Sequence, residues 1–109
     1  MTDHAWKQWE RTVASIFGGK RRGAYTGDGR SSGKPDIIKP GWSIECKLLS
    51  RPGFADLLDA ALQAETNAEQ PGDIPVAVVK RKGDHLPSAL VVMRLETFQQ
   101  FFVNGGKDE

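Results

Sequence analysis

Gly33-Lys34-Pro35-Asp36-Ile37-Ile38, followed across Pro40-Gly41 by Ile44-Glu45-Cys46-Lys47, decides how this chain folds. The apolar runs predict two short strands, Pro35 to Lys39 and Trp42 to Leu49, joined at the Pro-Gly turn signal. Side chains on a strand alternate faces, so Glu45 and Lys47 point the same way, about 7 Å apart. Ile44, Cys46 and Leu48 point the other way, toward whatever covers the sheet. Pairing as a hairpin lets Asp36 and Glu45 converge on one divalent cation with Lys47 beside them, an arrangement suited to phosphodiester chemistry. The Glu-x-Lys spacing alone carries no weight, because 14 acids and 8 lysines in 109 residues produce roughly one such pair by chance. Its position inside a β-patterned run, at hairpin distance from Pro-Asp, is what counts. An exposed, salt-bridged strand face is the competing reading.

A chain of 109 residues makes one domain, 1–109, with ordinary apolar and charged fractions. No apolar run approaches the ~18 residues that cross a bilayer, and Met1-Thr2-Asp3-His4 is not a signal sequence, so the expectation is a cytoplasmic protein of its host cell with no membrane partner. A single cysteine forms no internal disulfide. Cys46 alternates away from the polar face and has no histidine near it in sequence, which argues against a catalytic thiol. One cysteine and two scattered histidines also exclude tetrahedral zinc, leaving oxygen ligands and a hard cation.

Net charge is only +1, yet the basic residues are clustered. Lys20, Arg21, Arg22, Arg30, Lys34, Lys39 and Lys47 face three acids over 20–47, and Lys80-Arg81-Lys82 forms a second group. Acids gather instead between Asp56 and Asp73, so one surface can be positive while another is not. Solvated charge for solubility is the plain alternative.

Along the chain, Thr2 or Asp3 caps a first helix whose apolar stripe is Trp6, Trp9, Val13, Ile16 and Phe17, ending at Gly18-Gly19. Glu10 lies at the edge of that stripe, where its carboxylate can reach into a cleft or pair locally with Lys7 or Arg11. Residues 18–34 hold six of the twelve glycines with Lys20, Arg21, Arg22, Arg30, Ser31, Ser32 and Lys34 interleaved. This predicts a flexible basic loop, with a short strand around Gly23 to Thr26, able to grip phosphates. After the hairpin, Phe54 to Glu69 reads as a helix covering one sheet face. Ile74 to Lys80 and Ala89 to Arg94 read as strands joined by the basic tip around Lys80, Arg81 and Lys82, Leu95 to Phe102 as a closing helix, and 104–109 as a frayed tail. The order α-β-β-β-α-β-β-α predicts an α/β chain of the mixed α+β kind, a mixed sheet flanked by helices.

With Pro35-Asp36 and Glu45-Cys46-Lys47 as its motif, the chain resembles the PD-(D/E)XK nuclease superfamily. Within it, the likeness is to the small archaeal-type Holliday junction resolvases, including those that phages carry. The likeness runs from Trp6 to about Phe102, through Glu10-Arg11, the basic Gly/Ser loop, the Ile-Glu-Cys-Lys strand and Gln63-Ala64-Glu65. It implies a restriction-endonuclease-like fold and a DNA endonuclease that resolves four-way junctions in recombination or repair. Its cofactor would be Mg²⁺ or Mn²⁺, held by Asp36, Glu45, the backbone carbonyl of Cys46 and, through water, Glu10. Lys47 would act on the attacking water, Gln63 and Arg11 would sit near the DNA, and the working unit would be a homodimer. A related nuclease of the VRR type, or one cutting flaps, nicks or duplex, fits the same motif. A non-catalytic DNA-binding module of this fold is the alternative of another class.

Overall fold

Pro40-Gly41 makes the turn that its sequence predicts. Trp42 N–H donates to the Lys39 carbonyl (3.1 Å) and Gly41 sits at φ +87°, so proline fills the second and glycine the third position of a type II turn. The computed structural model describes residues 2–23 and 33–104, with backbone only over 2–4. Its elements are α1 (Thr2–Phe17), β1 (Lys20–Arg21), β2 (Ile37–Ile38), β3 (Trp42–Leu49), α2 (Phe54–Thr66), β4 (Ile74–Arg81), β5 (Leu90–Val92) and α3 (Leu95–Phe98), which runs on as a π-helical turn over Gln99–Val103. The fold is a compact α+β arrangement of a five-stranded mixed sheet and three helices, in the order α-β-β-β-α-β-β-α.

The strands lie in sequence order, β1-β2-β3-β4-β5. Among the described strands only β3 and β4 are parallel, with Glu45 beside Ala77 and Lys47 beside Val79; α2 forms the crossover between them. Trp9, Val13 and Ala14 of α1 bury against Ile37, Ile44, Val76 and Val78, with Cys46 and Leu48 at the margin. On the opposite face Ala60 of α2 packs on Ala77 and Val79, and Ser43 Oγ donates to the Ala64 carbonyl (2.6 Å). Both faces are therefore covered. The polar face of β3 is not the open one that alternation alone suggests: Glu45 lies beneath the C-terminal end of α2 and is 1% exposed.

Several expected boundaries move. The α1 stripe is Trp9, Val13, Ala14 and Phe17, while Trp6 and Ile16 stand exposed. The first part of the expected loop is a strand instead: Lys20 and Arg21 pair with Ile38 and Ile37. Gly19 makes that pairing possible, since a Cβ there would meet the Ile38 carbonyl at 2.7 Å. The strand expected at Gly23 to Thr26, and Arg30, Ser31 and Ser32, fall mainly or wholly outside the described residues. α2 stops at Thr66 rather than Glu69, because Asn67 caps it with its N–H on the Gln63 carbonyl and its side chain turned to Glu45.

Candidate active site

The pairing of Ile37 with Ile44 sets Asp36 opposite Glu45 in the antiparallel β2–β3 register. The Asp36 backbone is tied on both sides: its N–H donates to Ile44 O (3.0 Å) and its carbonyl accepts from Arg22 N–H (2.8 Å). Its carboxylate Oδ2 accepts the Cys46 N–H at 2.8 Å. These bonds fix the aspartate against the middle of β3, within reach of the Glu45 carboxyl.

Glu45 is the more strongly perturbed of the two raised glutamates. Burial first, and the Asp36 charge second, push its pKa up to about 7, while the Asn67 amide and the Lys47 ammonium oppose the rise. Asn67 Nδ2 donates to Glu45 Oε2 at 2.9 Å. Lys47, two residues along the same face, is half-buried, and no carboxylate among the described residues lies within ion-pair distance of it. The Cys46 thiol packs on the α1 face; burial, then the charges of Asp36, Glu10 and Glu45, drives its pKa far upward. Such a thiol is a packing group, as its sequence position suggested.

Glu10 comes to the same neighbourhood from α1 and is 7% exposed. Burial and then the Asp36 charge raise its pKa. Its direct partner is Arg21 (Nε to Oε1, 2.7 Å), rather than the local Lys7 or Arg11 that helix spacing offered. The Arg21 guanidinium also lies 5.6 Å from the centre of the Trp6 ring. Three carboxyl groups thus influence one another through Asp36. Among the described residues no set of three or more His, Cys, Asp or Glu side chains is arranged to hold a metal ion. The oxygens brought together here are those of Asp36, just ahead of β2, and of Glu45 on β3.

The remaining expected contact residues separate. Arg22 donates to the Pro35 carbonyl (2.7 Å) and lies 3.5 Å from Glu69, which also has Lys34 at 3.9 Å. Arg21 and Arg22 are therefore tied to acids of their own chain rather than carried on a loose loop. Arg11, Lys20, Gln63 and Lys82 are exposed. Arg81 pairs with Asp84 (2.8 Å), and Lys80 sits over the Trp9 ring at 5.8 Å. Glu65, two residues from the exposed Gln63, is engaged elsewhere: it accepts from both Arg94 Nε and Nη2 at 2.8 Å, and from Thr97 Oγ1 at 2.8 Å.

Sequence reasoning missed Asn67 and the Arg21–Glu10 pair. An asparagine at a helix end is a capping signal, but its side-chain partner lies 22 residues earlier and follows only from the packing of α2 on β3. No family model, curated protein or solved structure matches the chain.

Proposed function

We propose that this chain is a Mg²⁺- or Mn²⁺-dependent DNA endonuclease that hydrolyses phosphodiesters at four-way junctions, working as a pair of copies. The observation that carries the reading is the juxtaposition of Asp36 with a buried Glu45 of raised pKa, with Lys47 two residues away. Two carboxylates set opposite each other, one of them buried and raised by the charge of the other, are suited to share a hard cation, and their oxygen donors suit Mg²⁺. Asp36, Glu45 and the Cys46 carbonyl would hold the ion, with Glu10 contributing through water. When bound, such an ion neutralises phosphate charge and lowers the pKa of a bound water.

The chain's own groups supply the rest. Asn67 orients the Glu45 carboxylate, and the Cys46 N–H orients that of Asp36. The Lys47 ammonium holds the attacking water and offsets negative charge as it builds on the phosphoryl oxygens. Exposed Lys20, Lys34 and Lys82 contact the DNA backbone, which positions the substrate without reading its sequence. A symmetric junction is cut by two such sites, one for each opposing strand.

A panel of four-way junction, flap, nicked and linear duplex DNA, incubated with Mg²⁺, Mn²⁺ or EDTA, tests this. Cleavage of the junction in either metal and none in EDTA is expected. Preferential cutting of flap or duplex would replace the junction assignment with a related nuclease activity. No cutting of any substrate by folded protein would remove the nuclease reading.

A further inference from the structure

The sheet ends in two edges of opposite character. β1 is two residues long and charged, with Arg21 committed to Glu10, and short charged edges resist pairing with another sheet. β5 runs Leu90-Val91-Val92 without a charge, pairs among the described residues with β4 alone, and leaves Val91 66% exposed.

Apolar surface continues from β5 over both faces. On the α1 side a cleft of about 340 Å³ lies among Phe17, Trp42, Val91, Phe98 and Phe102. On the α2 side a second cleft, of about 320 Å³, is walled by Phe54, Leu58, Val92 and Leu95. Phe54 is 80% exposed and Leu95 72%. With Leu58, Leu90, Val91, Phe98 and Phe102 they make seven large apolar side chains exposed by more than a third. At roughly 100 Å² for a half-exposed side chain of this size, they present on the order of 700 Å² of apolar surface. The largest patch on a typical monomer is about 300–600 Å², and one partner of a standard interface contributes about 800 Å².

We propose that this edge is closed by a second copy of the chain, with β5 pairing antiparallel to its twin about a twofold axis through Val91. Phe98 and Phe102 then pack across one face of the joined sheet, and Phe54 and Leu95 across the other. An open strand offers its main chain to another open strand, and every copy carries the same one. Pairing β5 with β1 instead would be head-to-tail and would propagate as a filament, and the charged two-residue β1 makes a poor match. A charged partner finds little to meet, because the one cation that lines these two clefts among the described residues, Arg94, is already bonded to Glu65. The area available matches what a dimer requires.

The proposal gives the pair of copies in the proposed function its interface, and sedimentation of the full chain without DNA or metal tests it without any nuclease readout. The expected species has twice the 12.0 kDa mass of one chain. Val91→Lys and Phe102→Glu should each weaken self-association by at least ~100-fold, as loss of a central apolar contact does, while the far-UV circular dichroism is unchanged. Val91→Cys should cross-link copies on mild oxidation, since it meets its own twin. A wild-type monomer at micromolar concentration would overturn the proposal. So would variants that remain dimeric, or a Val91→Cys dimer that never cross-links. Loss of nuclease activity in the substrate panel would leave this result untouched.

Discussion

The amide of Asn67 donates to the carboxyl of Glu45 across 2.9 Å, joining the end of α2 to the centre of β3. Both residues are buried, Asn67 at 8% exposure. Replacing Asn67 by alanine strands one oxygen of a buried acid and should cost about 1–3 kcal/mol. Asn67→Asp should cost more, since it adds a third negative charge beside Glu45 and Asp36. Urea unfolding at pH 7.5 measures both. Equal stability of wild type and Asn67→Asp would show that Glu45 does not depend on this donor.

Stability of the metal-free protein should fall, not rise, between pH 5 and pH 8. The folded-state pKa of Glu45 is about 7, above its ordinary value of 4.5, so the folded protein holds this proton more tightly than the unfolded chain. Below pH 4.5 both states are protonated and the group makes no difference. Between pH 4.5 and 7 the unfolded chain is ionised while the folded state keeps this proton, so the loss accumulates over that window and reaches about 3 kcal/mol once the pH exceeds 7 and the buried group must also carry its charge. Glu10, also raised, adds in the same direction. Glu65, held down chiefly by its hydrogen bonds from Arg94, acts oppositely: its contribution is present above pH 4.5 and is lost as pH falls through its folded value. Unfolding midpoints in EDTA across this range should decline for wild type and flatten in Glu45→Gln. Parallel profiles for the two proteins would contradict the assignment.

Arg21 is expected to act first as a structural partner. Its removal leaves Glu10 buried without its donor, so Arg21→Ala should destabilise by about 1–3 kcal/mol. Combining it with Glu10→Gln should recover part of that loss, a coupling that a double-mutant cycle reads directly. Substituting the exposed Lys20 should change stability by less than about 0.5 kcal/mol. Equal small effects at all three positions would mean that the Arg21–Glu10 contact contributes nothing.

The hairpin was legible because its determinants are local: Pro40-Gly41 dictates the turn, and β3 occupies the predicted Trp42 to Leu49 span. The parity of Glu45 and Lys47 on one face followed from strand geometry. What covers that face did not, because the docking of α2 is a tertiary event in which Ala60 packs on Ala77 and Val79. The same applies to Arg21, read as part of a phosphate-gripping loop among glycines. Its strand pairing with Ile37 and its bond to Glu10 bridge segments 11 or more residues apart. Trp6 and Ile16 fit a helical stripe by spacing, yet the sheet beneath α1 is wide enough to bury only Trp9, Val13 and Ala14 fully. Sequence patterns thus located the carboxylates, while packing determined their partners and their burial.

Asp36 and Glu45 are proposed to hold a hard divalent cation between them. Calorimetric titration with Mn²⁺ at pH 8 of the wild type, Asp36→Asn and Glu45→Gln measures this without any DNA. Binding by the wild type is expected, with its loss in both folded variants and junction cleavage lost in parallel. A wild type that takes up no Mn²⁺, or variants that bind it as the wild type does, would contradict it.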